Sequence, residues 1–185
     1  MAACCASLLH PDIQVPSSKL EKLVFLVRGL TDQGKKVLVF SQFVAFLEMA
    51  KEQLHNNVFP SLLFTGQQEA GLRKSVLRSF KSGGAQILLL SLQAGGVGLN
   101  LTEACVVIHL DAWWNPAIEH QATDRVYRIG QKQNVLVYHL IARNTIEEDI
   151  IRLHYKKLSM AESILEGTDT CLRMSADELM SIMKR

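Results

Sequence analysis

The chain has 185 residues, of which 48% are hydrophobic, and its 20 basic residues against 18 acidic ones leave a formal charge of +2. That is enough apolar material for one full core, so one domain is expected, and there is no global basic field: any nucleic-acid contact must come from a local patch or from helix ends. No uninterrupted apolar run reaches the length of a membrane span, and the amino terminus lacks a basic segment followed by an apolar core and a cleavage site. An intracellular, soluble protein without a membrane partner is therefore expected.

In chain order, residues 1 to 16 show no period and contain Pro11 and Pro16, as a tail from a preceding segment would. Ser18 with Glu21 reads as a capping box, and Leu20, Leu23, Val24, Val27 and Leu30 as a helical stripe ending near Gly34. Val37 to Phe40 is a short apolar run of β-formers, the mark of a strand covered on both faces. Helix and strand then alternate. Phe43, Phe46, Leu47, Ala50 and Leu54 give a second helix, Leu62 to Phe64 a second strand, and Leu72, Val76 and Phe80 a third helix stopped by Gly83 and Gly84. Buried strands follow at Ile87 to Leu90, Cys105 to Leu110 and Val135 to Leu140, with a helix capped by Asn115 and Pro116 between the last two. This alternation implies an α/β fold with a parallel sheet flanked by helices on both faces, whose ligands bind beyond the carboxyl ends of the strands. A long helix opened by Thr145 and Glu148 follows, striped by Ile146, Ile150, Leu153, Leu158, Ala161 and Leu165, then a short one capped by Ser175 with Glu178. Residues 17–143 read as the sheet domain and 144–185 as a helical extension.

The cysteines Cys4, Cys5, Cys105 and Cys171 are never two residues apart, as zinc sites favour, and read as reduced thiols; no metal site is expected. His109 and His139 lie in apolar runs and read as core or edge residues. Gly29, Gly34 and Lys35 mimic a phosphate-binding loop, but Lys36 stands where a Ser or Thr should hold magnesium. The stretch also closes a helix instead of opening one, so it presents no helix amino terminus to phosphate. No strand ends in paired acids either, so this chain cannot hydrolyse a nucleotide alone by that route.

Three stretches carry candidate chemistry. In QATDRVYRIGQ, residues 121–131, a helix would place Gln121, Arg125 and Arg128 on one face, aimed at an anion such as a phosphoryl group. In SLQAGGVGLNL, residues 91–101, Gly95, Gly96 and Gly98 follow a strand and allow close backbone approach to a ligand. In DAWWNPAIEHQATDR, residues 111–125, adjacent Trp113 and Trp114 precede a helix in a loop, so one is expected to pack and one to work.

Together KVLVFSQF (36–43), LLSLQAGGVGLNL (89–101), DAWWNP with the glutamate of AIEH, and QATDRVYRIGQ resemble the second RecA-like lobe of the Swi/Snf-type DNA translocases, within the superfamily-two helicases. The resemblance covers about residues 17 to 167, and four motifs in the family's order make it specific. SILEGTD followed by SADELM resembles the bacterial branch, which favours a bacterial cytoplasm or nucleoid, or a nucleus if the source is eukaryotic. The resemblance implies a motor in which ATP and Mg2+ lie between this lobe and a first RecA-like lobe of the same polypeptide. Arg125 and Arg128 would act as arginine fingers, Gln121 would approach the γ-phosphate, and Gly95, Gly96 and Gly98 would face the nucleotide cleft. Ser41, Gln42, Thr65, Gly66, Ser91 and Trp114 would lie beside double-stranded DNA, contacting phosphates without reading bases. The isolated chain would be inactive. Thr65, Gly66 and Gln67 stand where the family often has aspartate, glycine and a hydroxyl residue, Gln93 where it often has a basic residue, and Tyr127 where a histidine is common. The alternatives are a stand-alone nucleic-acid or protein binding module with this fold, and an RNA helicase lobe.

Overall fold

The computed structural model describes residues 17–95, 99–127, 131 and 133–165, without the side chains of residues 93, 95 and 158–165. Gly96, Gly98, Arg128, the 1–16 tail and the expected helix after Ser175 lie outside the described residues. The elements are α1 (Ser18–Thr31), β1 (Val37–Ser41), α2 (Val44–Asn56), β2 (Ser61–Phe64), α3 (Ala70–Lys81), β3 (Ile87–Ser91), α4 (Leu92–Gly95), β4 (Val106–His109), α5 (Pro116–Thr123), β5 (Leu136–His139) and α6 (Ile146–Leu165). The five strands form one parallel sheet in the order β2-β3-β1-β4-β5.

Alternation along the strands divides the core into two layers, because successive side chains leave a strand on opposite faces. Val37, Val39, Ile87, Leu89, Val106 and Ile108 pack with the stripes of α1 and α2. Leu38, Phe40, Leu88, Leu90 and Val107 pack with Val76 and Phe80 of α3 and Ala122 of α5. Strands β1, β3 and β4 are buried throughout, as expected of parallel strands covered twice. The fifth strand departs from the expectation of a buried run. As the sheet's edge it leaves Leu136 40% and Val137 41% exposed.

The helix ends show where local signals hold. Gly34 takes φ +70° after α1, with its N–H on the Thr31 carbonyl and the Lys35 N–H reaching Leu30. Gly83 at φ +90° ends α3 in the same manner. The mimic of a phosphate loop is therefore a helix exit, and Lys36 is spent elsewhere: its Nζ donates to the carbonyls of Phe80 and Lys81 at the end of α3. The expected Ser18 and Glu21 capping box is not formed. Ser17 is the N-cap, without a side-chain capping bond, and Ser18 lies one residue inside the helix. Thr145 does cap α6 through the Glu147 N–H, but Glu148 reaches past it to the Asn144 N–H. Leu72, expected in the α3 stripe, is 52% exposed, and the partly buried Leu77 packs instead.

Candidate nucleotide and nucleic-acid interface

The carboxyl edge of the sheet gathers the candidate residues. Ser41 and Ser91 are register partners at the ends of β1 and β3, and Thr65 follows Phe64, which pairs with Leu90. The three hydroxyl residues thus form a row across adjacent strands, all buried. Gly66 lies open beside α4, where a β-carbon would meet that of Ala94 at 4.0 Å. Gln68 shapes this corner by accepting from the Thr65 N–H and donating to the Leu63 carbonyl.

Asp111 fastens the edge from below. Its carboxylate accepts from the Ser41 hydroxyl and, at 3.2 Å, from the Gln42 N–H, so the chain leaving β4 is tied to the chain leaving β1. The Ser41 hydroxyl in turn accepts from the Phe43 N–H at 3.0 Å. It is committed inside the protein, and half-buried Gln42 is what the loop presents outward. Burial raises the Asp111 pKa to about 6, against the pull of the Ser41 and Gln42 hydrogen bonds and of Lys19. Lys19 is buried in its turn, with Nζ 2.6 Å from both the Leu110 carbonyl and Glu147 Oε1, and so binds α1, the end of β4 and the start of α6 together.

Asn115 caps α5 by accepting from the Ala117 N–H, with Pro116 in the first turn. Of the two tryptophans before it, Trp113 packs on the α3 and α5 side of the core while Trp114 is 50% exposed. The expected helix through Arg128 stops short. It ends at Thr123, and the N–H groups of Arg125 and Val126 bond three residues back, so Arg125 lies in a turn beyond the helix that carries Gln121. Gln121 is exposed and Arg125 is 7% exposed. The turn is anchored to the segment that leaves the glycine stretch: the Leu101 N–H donates to the Arg125 carbonyl, and Gln131 Nε2 donates to those of Thr102 and Ala104. Gly95 closes α4 at the start of that stretch. The Arg125 turn thus stands beside Leu101, at the end of the glycine-containing stretch.

A second polar cluster backs the tryptophan loop. Glu119 accepts from the Trp113 N–H at 2.7 Å, and His139 Nδ1 stands 3.6 Å from its other oxygen. His139 stacks on His109 with centroids 4.8 Å apart, and His109 contacts the Thr123 hydroxyl at 3.3 Å. Burial raises the Glu119 pKa to about 7, with Asp111 adding to it and the Trp113 amide opposing. Burial first, then neighbouring imidazoles, lowers His109 to about 3 and His139 below the usual range. Among the described residues no cluster of His, Cys, Asp or Glu fits a metal ion, Cys105 is a buried free thiol, and no helix is long and apolar enough to cross a membrane.

The profile of the helicase conserved C-terminal domain matches residues 18–130. The chain belongs to that family. The lobe is 39% identical over 164 residues to a putative ATP-dependent helicase/translocase of Bacillus subtilis, covering 88% of this chain and 18% of the relative. It is 40% identical over 176 residues to the DNA repair protein RAD5 of Candida albicans, covering 91% and 16%. The crystal structure of the C-terminal part of the Fun30 ATPase domain superposes with TM-score 0.71 at 34% identity, over 74% of this chain and 45% of that one. These relatives place the lobe with the Swi/Snf-type superfamily-two ATPases and its sheet with the RecA-like fold. It spans 16–18% of the length of the curated relatives named here.

Of the residues that organise this edge most, the sequence marks Glu119, as the glutamate of AIEH, but not Lys19 or Asp111. Lys19 carried a signal, since it stands four residues before Leu23 on the α1 stripe, where a charge implies a buried partner. Asp111 and Glu119 belong to the DAWWNP and AIEH stretches, but only the fold shows their hydrogen bonds.

Proposed function

We propose that this helicase C-terminal lobe is the second motor lobe of an ATP-driven double-stranded DNA translocase that remodels protein-bound DNA. It acts only with a first lobe of the same polypeptide. Residues 17–143 are the lobe proper and 144–185 its helical extension. The observation that carries the reading is the meeting of the Arg125 turn, the end of α4 at Gly95 and the Ser41, Thr65 and Ser91 row at one edge of a RecA-like sheet.

The donor set fits half of a nucleotide site. Arg125 and Gln121 suit phosphate oxygens, whereas Asp111 is engaged by Ser41 and Gln42, its neighbours Glu147 and Glu119 by Lys19 and the Trp113 N–H, and no acidic cluster among the described residues fits a metal ion. Mg2+ and most of the phosphate contacts therefore belong to the first lobe. ATP, when bound between the lobes, supplies the phosphoryl group whose cleavage drives the cycle. Arg125 and Arg128 neutralise charge developing on it, Gln121 orients toward it, and Gly95, Gly96 and Gly98 let the backbone come close. Gln42, Gly66 and Trp114 meet the DNA backbone, with Ser41, Thr65 and Ser91 shaping the loops that carry them. Contact through phosphates suits a motor that travels over any sequence.

The test is Arg125→Ala and Arg128→Ala in the two-lobe protein. ATP turnover should fall by about 10³-fold or more, the scale of an arginine finger, while duplex binding stays close to that of the parent. Equal turnover in variant and parent would sink the reading.

A further inference from the structure

Glu119 holds the loop that carries both tryptophans from the first turn of α5. Its Oε1 takes the Trp113 N–H at 2.7 Å, and its Oε2 faces His139 Nδ1 at 3.6 Å. From His139 the contacts continue through the stacked His109 ring to Thr123, the last residue of α5. The start and the end of the helix that leads into Arg125 are thus tied to the sheet edge by one connected set of groups. The set is not sealed off. A cavity of about 450 Å3 lined by Glu119, His120, His139, His154 and Tyr155, among others, opens against it, so protons and water can reach the pair.

We propose that Glu119 and His139 are positioning residues that fix the Trp113–Trp114 loop against α5, and that ionisation of the Glu119 carboxyl sets how firmly Trp114 is presented. A neutral carboxyl accepts the Trp113 N–H through its carbonyl oxygen, and an ionised one forms a charge-assisted bond, the stronger kind. The titratable groups around the pair are His109 on β4, Asp111 beyond it, His120 on α5 and His154 on α6, which also meets the Trp113 and Trp114 backbone, has Lys157 beside it and is held by burial below the usual histidine range, so that its own titration falls on the acid side of the Glu119 step. With burial placing the Glu119 pKa at about 7, the change of state falls near neutral pH.

The chain's only tryptophans are the two in this loop, so intrinsic tryptophan emission reads the clamp without a label. Emission of the 185-residue chain should titrate with a midpoint at about pH 7. Glu119→Gln keeps an acceptor for the Trp113 N–H but cannot ionise, and should fold like the parent with no step near that pH. His139→Phe keeps the stacked ring, removes the nitrogen facing the carboxyl and should move the midpoint upward. A flat parent, or the same step in Glu119→Gln, would overturn the proposal; an unmoved midpoint in His139→Phe would remove His139 from it. The consequence for DNA rests on the reading of Trp114 given above. Glu119→Ala should weaken duplex binding about tenfold, the scale of one hydrogen bond to a charged group, and Glu119→Gln should restore most of it. Unchanged binding in Glu119→Ala alongside the expected emission titration would remove Trp114 from the DNA interface while leaving the clamp in place.

Discussion

Lys19→Met tests how the start of α6 is joined to the body. Lys19 is 5% exposed, and its Nζ lies 2.6 Å from Glu147 Oε1 and 2.6 Å from the Leu110 carbonyl. Methionine keeps the apolar stem but leaves the Glu147 carboxylate buried without this cation and removes the carbonyl's donor. Breaking a buried ion pair from one side costs about 3–5 kcal/mol, because the surviving charge stays desolvated. At about 2–4 °C per kcal/mol for a domain of this size, the midpoint of thermal unfolding should fall by roughly 6–20 °C. Urea unfolding followed by far-ultraviolet circular dichroism measures the loss. Lys19→Met combined with Glu147→Leu should recover most of it, since an apolar pair of similar volume is often as stable as the ion pair. Recovery should be incomplete, because Glu147 Oε2 also accepts the Ala142 N–H at 2.8 Å. A loss below about 1 kcal/mol in the single variant, the ordinary range for an exposed pair, would refute the claim that this bridge is buried in solution.

The remaining expectations concern titration, backbone and surface. Asp111 and Glu119 have pKa values raised to about 6 and about 7, so each contributes stability that is complete below the unfolded pKa near 4 and is lost as pH rises through the folded value. His109, lowered to about 3, works in the opposite sense and contributes stability gained as pH climbs toward 6.5. Unfolding free energy measured against pH should therefore peak in the mildly acid range. Glu119→Gln should flatten the decline between about pH 5 and 8, an effect of at most about 3 kcal/mol for a pKa moved from 4.5 to about 7; an unchanged decline would count against the buried carboxyl. Gly34→Ala meets no atom within 4 Å but must hold φ +70°, and should cost about 1 kcal/mol by chemical denaturation. Trp114→Ala removes a half-exposed ring, so stability should change by less than about 0.5 kcal/mol, while duplex affinity drops; a large loss of stability would show that the ring packs.

Strand and helix order were legible because the signals were local and strong. The runs from Val37 to Phe40 and from Ile87 to Leu90 are apolar throughout, as strands buried on both faces must be, and Gly34, Gly83 and Asn115 terminate or cap helices by chemistry that depends on near neighbours. Readings that required knowledge of a distant neighbour failed. Val135 to Leu140 looks like a buried strand, but nothing in the run reveals that it is the sheet's edge. The periodicity through Arg125 fits a helix, but the chain tightens after Thr123, where the carbonyl of Arg125 is drawn to Leu101. The candidate residues at the carboxyl edge were found from motif order, whereas the groups that fix them, Asp111, Glu119 and Lys19, act through partners 70, 6 and 128 positions away. Only the folded chain brings those partners together.

The most direct test of the half-motor account is ATP hydrolysis with and without duplex DNA, by this chain alone and by a longer protein that includes a first lobe. The expected result is silence from the 185 residues and DNA-stimulated turnover when both lobes are present. Turnover by this chain alone would mean that it holds a complete phosphate site after all. Silence from both proteins, with duplex DNA still bound, would contradict the motor and favour a binding module built on the same sheet.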